Sequence, residues 1–360
     1  MTKKLESKVA AITGGMNQDI LFNHFDLSGD LTLSNRIVMA PMNRSMADDD
    51  LVPTDAMADY YARRADTGLI ITESLMISPS AQGYPNTPAI FTPAQVAGWE
   101  KVVRKVHAKG GKIFAQIWHT GRVSHPIYLN GEKPLAPSAV ALKGRVPRTD
   151  DLQYAVPREM TEAEIRQMIQ DFAQAAANAR EAGFDGVEVH AANGYLLDQF
   201  LHWDTNRRTD DWGGSAENMA RILFEVLGAV KLEIPHVGLR VSPVGYLHLE
   251  HDDRDKAVSD YVLQRLNHYG LTYVHTGMFE DSEQEHLAGT VTQYIRSLYQ
   301  GTVIACGGYD AERGREALHK GDADLIAIGR PLIANPDFVE KVRTRQPLTT
   351  YSAEMLNELV

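Results

Sequence analysis

Apolar and polar positions change period repeatedly along this chain. Short apolar runs rich in β-branched residues alternate with stretches in which apolar residues recur every three or four positions. The first rhythm predicts strands, the second amphipathic helices. Eight runs carry the strand rhythm: Arg36–Asn43, Leu69–Met76, Lys112–His119, Gly186–Ala192, Val237–Pro243, Leu271–Gly277, Val303–Gly308 and Leu325–Gly329. Helical patterns lie between them, at Thr54–Asp66, Pro93–Lys109, Ser215–Lys231, Lys256–Tyr269, Val291–Tyr299, Ala311–Lys320 and Pro336–Thr344. Thr161-Glu-Ala-Glu164 is a capping box, and it opens a further helix to about Glu181. Eight strands alternating with eight helices predict a (β/α)8 TIM barrel, with residues 1–360 as a single domain. A doubly wound sheet is the alternative, but nothing resembles its GxGxxG turn.

Two segments depart from the alternation. Phe25–Leu33 reads as a hairpin around Ser28-Gly29-Asp30, capping one end of the barrel. Residues 120–157, after the third strand, show no helical period and contain Pro126, Pro134, Pro137, Pro147 and Pro157. A loop this long is a lid over the site or an insertion with a small hairpin of its own.

Composition narrows the class. Hydrophobic residues make up 44% of the 360 positions and charged ones 23%, a soluble globular balance. A net charge of −11 argues against a nucleic-acid partner. The single Cys306 excludes an intrachain disulfide. The N-terminus is charged and lacks the apolar run of a signal peptide. No stretch approaches the length of a membrane span. The expectation is a cytoplasmic enzyme without a membrane partner.

Candidate chemistry gathers at the ends of the predicted strands, where a parallel barrel builds its active site. The fourth strand ends in His190, Asn193 and Tyr195. Two neutral donors and a phenolic proton suit one carbonyl oxygen and a proton transfer beside it. The plainer reading is a core histidine, an Asn-Gly turn and a packed tyrosine. Gly307-Gly308 and Gly329-Arg330 end the seventh and eighth strands, where barrels commonly bind a phosphate. They also read as two tight turns and a surface arginine. Arg240 ends the fifth strand and needs an anionic partner, while Gln116 is a buried amide needing partners on both sides. A metal-dependent barrel hydrolase is a rival reading, since His119, His125, His190 and His275 fall at or near strand ends. A metal site typically needs carboxylate or further histidine ligands converging with them.

The chain resembles the old yellow enzyme family of FMN-dependent ene-reductases. The resemblance rests on Asn35–Arg44, Thr72-Glu73, Gln116–Pro126, His190–Phe200, Asn206–Ser215 and Gly329–Pro336. It implies a tightly bound FMN across the barrel mouth, with its phosphate at Gly308, Gly329 and Arg330 beside Gly307. It implies Gln116 at the pyrimidine edge, Arg240 beside N1 and O2, and Pro41, Met42, Asn43 and Ser74 along the ring. His190 and Asn193 would clamp the carbonyl of an enone or quinone substrate, Tyr195 would protonate it, and NADPH or NADH would be the reductant. Asn43 stands where the family usually has Thr or Cys, Ser74 where Gly or Ala is common, and Met219 where Arg is usual. Arg145 and Arg148 are candidates for a 2′-phosphate. A non-catalytic flavin-binding barrel, which has no use for Tyr195, is the second rival. No metal site is expected, and the chain would be a monomer or a homodimer.

Overall fold

A computed structural model describes residues 19–146, 149 and 151–360. The charged N-terminal stretch and Arg148 lie outside the described residues.

Each predicted run supplies one strand of a closed parallel barrel. The strands are Ile37–Met39, Leu69–Met76, Ile113–Trp118, Gly186–Ala191, Val237–Val241, Tyr273–Thr276, Val303–Ala305 and Leu325–Ile328. They pair in chain order, and the eighth closes on the first through Ala327 and Val38. Several are shorter than their runs, because the polar residues at the ends leave the ladder. The first run leaves the ladder after Met39, so Ala40–Asn43 form a loop at the mouth.

The eight predicted helices are present, with boundaries moved by a few residues: Asp55–Ala62, Pro93–His107, Glu162–Glu181, Ala216–Glu233, Asp255–Leu266, Val291–Leu298, Ala311–Lys320 and Phe338–Thr344. At Thr161 the capping box closes both ways. Thr161 Oγ1 accepts from Glu164 N at 3.3 Å, and Glu164 Oε2 accepts from Thr161 N at 2.8 Å. Two short helices were not predicted, Leu196–Leu201 and Arg330–Ala334. Neither spans two full turns, too little for a period to show. Among the described residues no helix is long and apolar enough to cross a membrane.

The hairpin pairs Phe25–Ser28 with Leu31–Leu33 and caps the barrel as expected. Its Leu27, Leu31 and Leu33 pack into one cluster with Leu69, Phe114, Tyr273 and Leu325, from the starts of four barrel strands. Two glycines make room there. A Cβ on Gly186 would lie 2.4 Å from Phe114 Cζ, and one on Gly238 2.2 Å from Tyr273 Cζ. The two rings stack with centroids 5.8 Å apart. Met219 is fully buried in its helix, in keeping with a packing role.

The long loop follows the third strand. It has short pairings of its own, Leu135–Ala136 with Arg158–Glu159 and a bridge from Arg145 to Gln153. It also reaches the barrel mouth, where Tyr154 meets His248 edge-on at 6.5 Å and His248 lies 5.8 Å from Tyr195.

Candidate active site

Strand register assembles the floor of the site. Ser74 is level with Gln116, Gln116 with Glu188, and Arg240 with both His190 and His275. The second strand carries an irregularity between Ile71 and Ser74, and this extra residue brings Ser74 into line with Gln116. A hydrogen-bonded belt then crosses the mouth. Asn43 Oδ1 accepts from Ser74 N at 2.9 Å, and Ser74 Oγ donates to Gln116 Oε1. Gln116 Nε2 donates to Glu188 Oε1 at 2.7 Å, and Glu188 Oε2 meets His275 Nδ1 at 2.8 Å. Burial pushes the Glu188 carboxyl up, but His275 and Arg240 outweigh it and hold it below the usual range.

Arg240 is buried at the edge of this belt. Its Nη2 reaches Cys306 Sγ at 3.6 Å, and its buried Nε has no partner among the described residues. Cys306 is thus a buried small residue that also contacts a charged group.

The fourth strand delivers the clamp candidates. His190 is buried, stacks on Trp118 at 5.9 Å, and leaves Nδ1 without a partner. Burial, reinforced by Arg240, pushes its pKa down to about 3, so it is a neutral imidazole. Trp118 Nε1 is likewise buried and unpartnered. Asn193 and Gly194 follow at φ +60 and +75, a left-handed turn that Asn and Gly tolerate best. A Cβ on Gly194 would come within 2.6 Å of His248 Cβ, so the close approach also requires glycine. Asn193 Nδ2 donates one hydrogen to Gly277 O at 2.5 Å. The Tyr195 ring lies 5.2 Å from that of His190, and its hydroxyl is 3.0 Å from Tyr84 OH. Burial pushes the Tyr195 phenol up to about 12, so it holds its proton at neutral pH.

The remaining candidates surround this core. Pro41, Met42 and Asn43 are half-buried on the loop after the first strand. Glu73, buried and pushed up to about 7 by that burial, anchors the loop by accepting from Arg44 N at 3.1 Å and Ser45 N at 2.9 Å. Gly307 and Gly308 adopt φ +134 and +66, and a Cβ on Gly308 would fall 2.1 Å from Glu280 Oε2. Met42 Sδ would lie 3.5 Å from a Cβ on Gly329. Arg330 opens the helix after Gly329 with its side chain exposed, outside the hydrogen-bonded belt. Arg145 is exposed and paired with Asp151 at 3.5 Å.

The histidines of the metal reading serve other purposes. His119 accepts from Gly121 N at 3.0 Å, His125 caps a turn by accepting from Ile127 N at 3.1 Å, and His275 pairs with Glu188. Among the described residues no group of three or more His, Cys, Asp or Glu is arranged to hold a metal ion.

Four residues of the site were not singled out in the sequence. Glu188 was legible, since it shares a strand face with His190 at period two. Tyr84, His248 and Arg313 lie outside the strands and gave no signal. Arg313 Nη1 donates to Gly307 O at 2.9 Å and to Glu280 Oε1 at 2.8 Å.

Comparison with known proteins makes this barrel a flavin-dependent oxidoreductase of the old yellow enzyme type, acting by hydride transfer from flavin. Residues 20–349 match the model of the NADH:flavin oxidoreductase / NADH oxidase family, and the chain belongs to that family. It is 42% identical over 331 residues to 12-oxophytodienoate reductase 1 of Oryza sativa subsp. japonica, covering 90% of this chain and 86% of that protein. Morphinone reductase solved with tetrahydroNAD superposes with a TM-score of 0.86 and 42% identity, covering 93% of each chain. The old yellow enzyme homologue from Zymomonas mobilis gives a TM-score of 0.88 at 36% identity, covering 93% of this chain and 96% of that one.

Proposed function

We propose that this chain reduces the activated C=C bond of α,β-unsaturated carbonyl compounds, with FMN bound at the barrel mouth and NADPH or NADH as reductant. The observation that carries the reading is the set of buried polar atoms left unpartnered there. His190 Nδ1, Trp118 Nε1 and Arg240 Nε are buried without partners among the described residues, the His190 and Trp118 rings lie against Tyr195, and buried polar groups are ordinarily satisfied. The residues fit a flavin. Gln116 suits the pyrimidine edge, because Ser74 and Glu188 fix which end of its amide donates. Arg240 suits the charge that gathers at N1 and O2. Pro41, Met42, Asn43 and Ser74 line the ring's place, and Gly307, Gly308, Gly329 and Arg330 are the phosphate set.

The bound flavin supplies a hydride drawn from the nicotinamide. The side chains supply the rest. Neutral His190 and the second amide hydrogen of Asn193 donate to the substrate carbonyl, which makes the β-carbon electrophilic and stabilises the developing enolate. Tyr195, still protonated at neutral pH, gives its proton to the α-carbon. Tyr84, half-buried and 3.0 Å from the Tyr195 hydroxyl, then relays a proton from solvent to replace it.

Stopped-flow measurement of the two half-reactions in Tyr195→Phe tests the reading. Flavin reduction by NAD(P)H should stay within a few-fold of the parent. Reoxidation by 2-cyclohexenone should fall by about 10²–10⁴, the usual contribution of a positioned general acid. Equal slowing of both steps, or of neither, removes Tyr195 from the mechanism.

A further inference from the structure

Behind the turn that carries Asn193 lies a chain of buried ionic groups that the clamp itself does not use. Its centre is His202, the residue that ends the short helix Leu196–Leu201. His202 Nδ1 is 2.8 Å from Asp255 Oδ2, and Nε2 is 3.1 Å from Asp198 Oδ1. All three side chains are buried, at 3% exposure or less. Both ring nitrogens face carboxylate oxygens, so both carry protons and the ring is an imidazolium. A neutral ring would turn a lone pair toward a carboxylate in a water-free site. The raised pKa of His202, about 10, agrees with the geometry.

The far side of Asp198 points at the turn. Asp198 Oδ2 accepts from Gly194 N at 2.8 Å and from Ser242 Oγ at 3.0 Å. Ser242 Oγ in turn accepts from Asn193 N at 2.8 Å. One carboxylate therefore holds two consecutive backbone N–H groups, one directly and one through a hydroxyl. These belong to the two left-handed residues, Asn193 and Gly194. For a non-glycine residue that conformation is costly and must be held by its surroundings. At the other end, Asp255 Oδ1 accepts from Trp203 N at 2.9 Å and fixes the backbone next to His202. The arrangement is not a nucleophilic triad. Ser242 donates to Asp198 rather than to the histidine, and it is buried.

We propose that His202 is a positioning residue for the carbonyl clamp. Its charge lies against the buried Asp198 carboxylate and balances it there. The carboxylate then locks the turn that aims the Asn193 amide into the barrel mouth. The inference rests on the proposed role of Asn193 in holding a carbonyl or phenolate oxygen.

Two measurements on FMN-loaded protein test it. One is a 4-hydroxybenzaldehyde titration followed by long-wavelength charge-transfer absorbance. The other is hydrogen exchange at the amides of Asn193 and Gly194. In His202→Asn the phenol Kd should rise about tenfold, equivalent to about 1.4 kcal/mol. Protection of the two amides should fall, while amides of the Phe114 and Tyr273 strands keep theirs. Ser242→Ala removes the hydroxyl that joins Asn193 N to Asp198, leaves His202 and the Gly194 N bond in place, and should raise Kd several-fold, so it decides the matter if His202→Asn does not fold. A purely structural His202 would lower Tm and leave the phenol Kd of folded, FMN-loaded protein unchanged, and that result overturns the proposal. A parent that gives no charge-transfer band, or a band indifferent to His190→Ala, defeats the clamp reading instead. The exchange data still report separately whether His202 holds the turn.

Discussion

The two ends of this barrel are built from the same eight strands and solve opposite problems. At the N-terminal end the inward side chains are apolar, and the hairpin leucines close over Phe114 and Tyr273. The buried Tyr273 hydroxyl is a polar atom there without a hydrogen-bond partner among the described residues, and the glycines admit the aromatic rings. At the C-terminal end the inward side chains are Gln116, Glu188, His190, Arg240 and His275. Hydrogen bonds satisfy part of that set and leave His190 Nδ1 and Arg240 Nε without partners. One end is finished by packing, whereas the other has donors to spare for a ligand. Substitutions at the closed end should therefore change stability alone, and substitutions at the open end should change ligand binding first.

The largest effect is expected at the closed end. Phe114→Ala should lower stability by about 3–5 kcal/mol, the usual range for an aromatic ring removed from a core. Thermal or denaturant unfolding measures this. Protein that remains folded should keep its FMN content and its phenol affinity. Loss of FMN from folded Phe114→Ala would show that the two ends are coupled.

Next in size is His190→Ala at the open end. Removing one oxyanion-type donor usually costs about 3 kcal/mol, or roughly a hundredfold in affinity for phenols and in the rate of enone reduction. Stability should change little, because the Nδ1 of His190 has no hydrogen-bond partner among the described residues. A variant with parental phenol affinity would make His190 a packing residue of Trp118.

This division was only half legible in the sequence. Strand and helix periods revealed all eight units, because each strand is buried between helices and a filled interior and each helix shows one apolar face. The hairpin was legible from alternation and its turn residues. Polar residues at strand ends pointed to the mouth, and strand position alone indicated Gln116, His190 and Arg240. Glu188 went unremarked although it shares their face. Tyr84, His248 and Arg313 come from loops and a helix start, and no periodicity records which loop folds over which strand. The helix Leu196–Leu201 was missed for its shortness, and with it the pairing of His202 to Asp198 one turn earlier. The partner Asp255 lies 53 residues further on, beyond any local pattern.

A smaller, pH-dependent effect belongs to that buried pair. The folded-state pKa of His202 is raised from 6.5 to about 10 by Asp198 and Asp255 against the opposing effect of burial. A raised pKa means that the folded state binds the proton more tightly than the unfolded state does. The contribution to stability is then complete below about pH 6.5 and disappears as pH rises toward 10. Tm measured from pH 6 to 10 on the parent and on His202→Asn isolates it. The gap between the two should be widest at pH 6 and narrow steadily toward pH 10. A gap that stays constant would mean that His202 stabilises by packing rather than by charge.

The smallest effect is expected at Asn43, where the two ends differ in kind. Its Oδ1 is committed to Ser74 N at 2.9 Å, which leaves only the Nδ2 hydrogens to face the mouth. They are donors, and a donor near the flavin ring favours the reduced form, which carries more negative charge. Asn43→Leu removes that donor. A neutral hydrogen bond contributes about 1 kcal/mol, so the potential should fall by roughly 20–30 mV for a two-electron couple. Asn43→Thr keeps a hydroxyl that can accept from Ser74 N and donate its single hydrogen, and it should move the potential by less than half as much. Spectroelectrochemical titration of the FMN-loaded variants measures both. The order of the two shifts is the informative part. If Thr and Leu lower the potential equally, the amide acts through Ser74 and the orientation of Gln116, not through a hydrogen bond of its own. The belt across the mouth would then tune the flavin as a unit, and Ser74→Ala should reproduce the same shift.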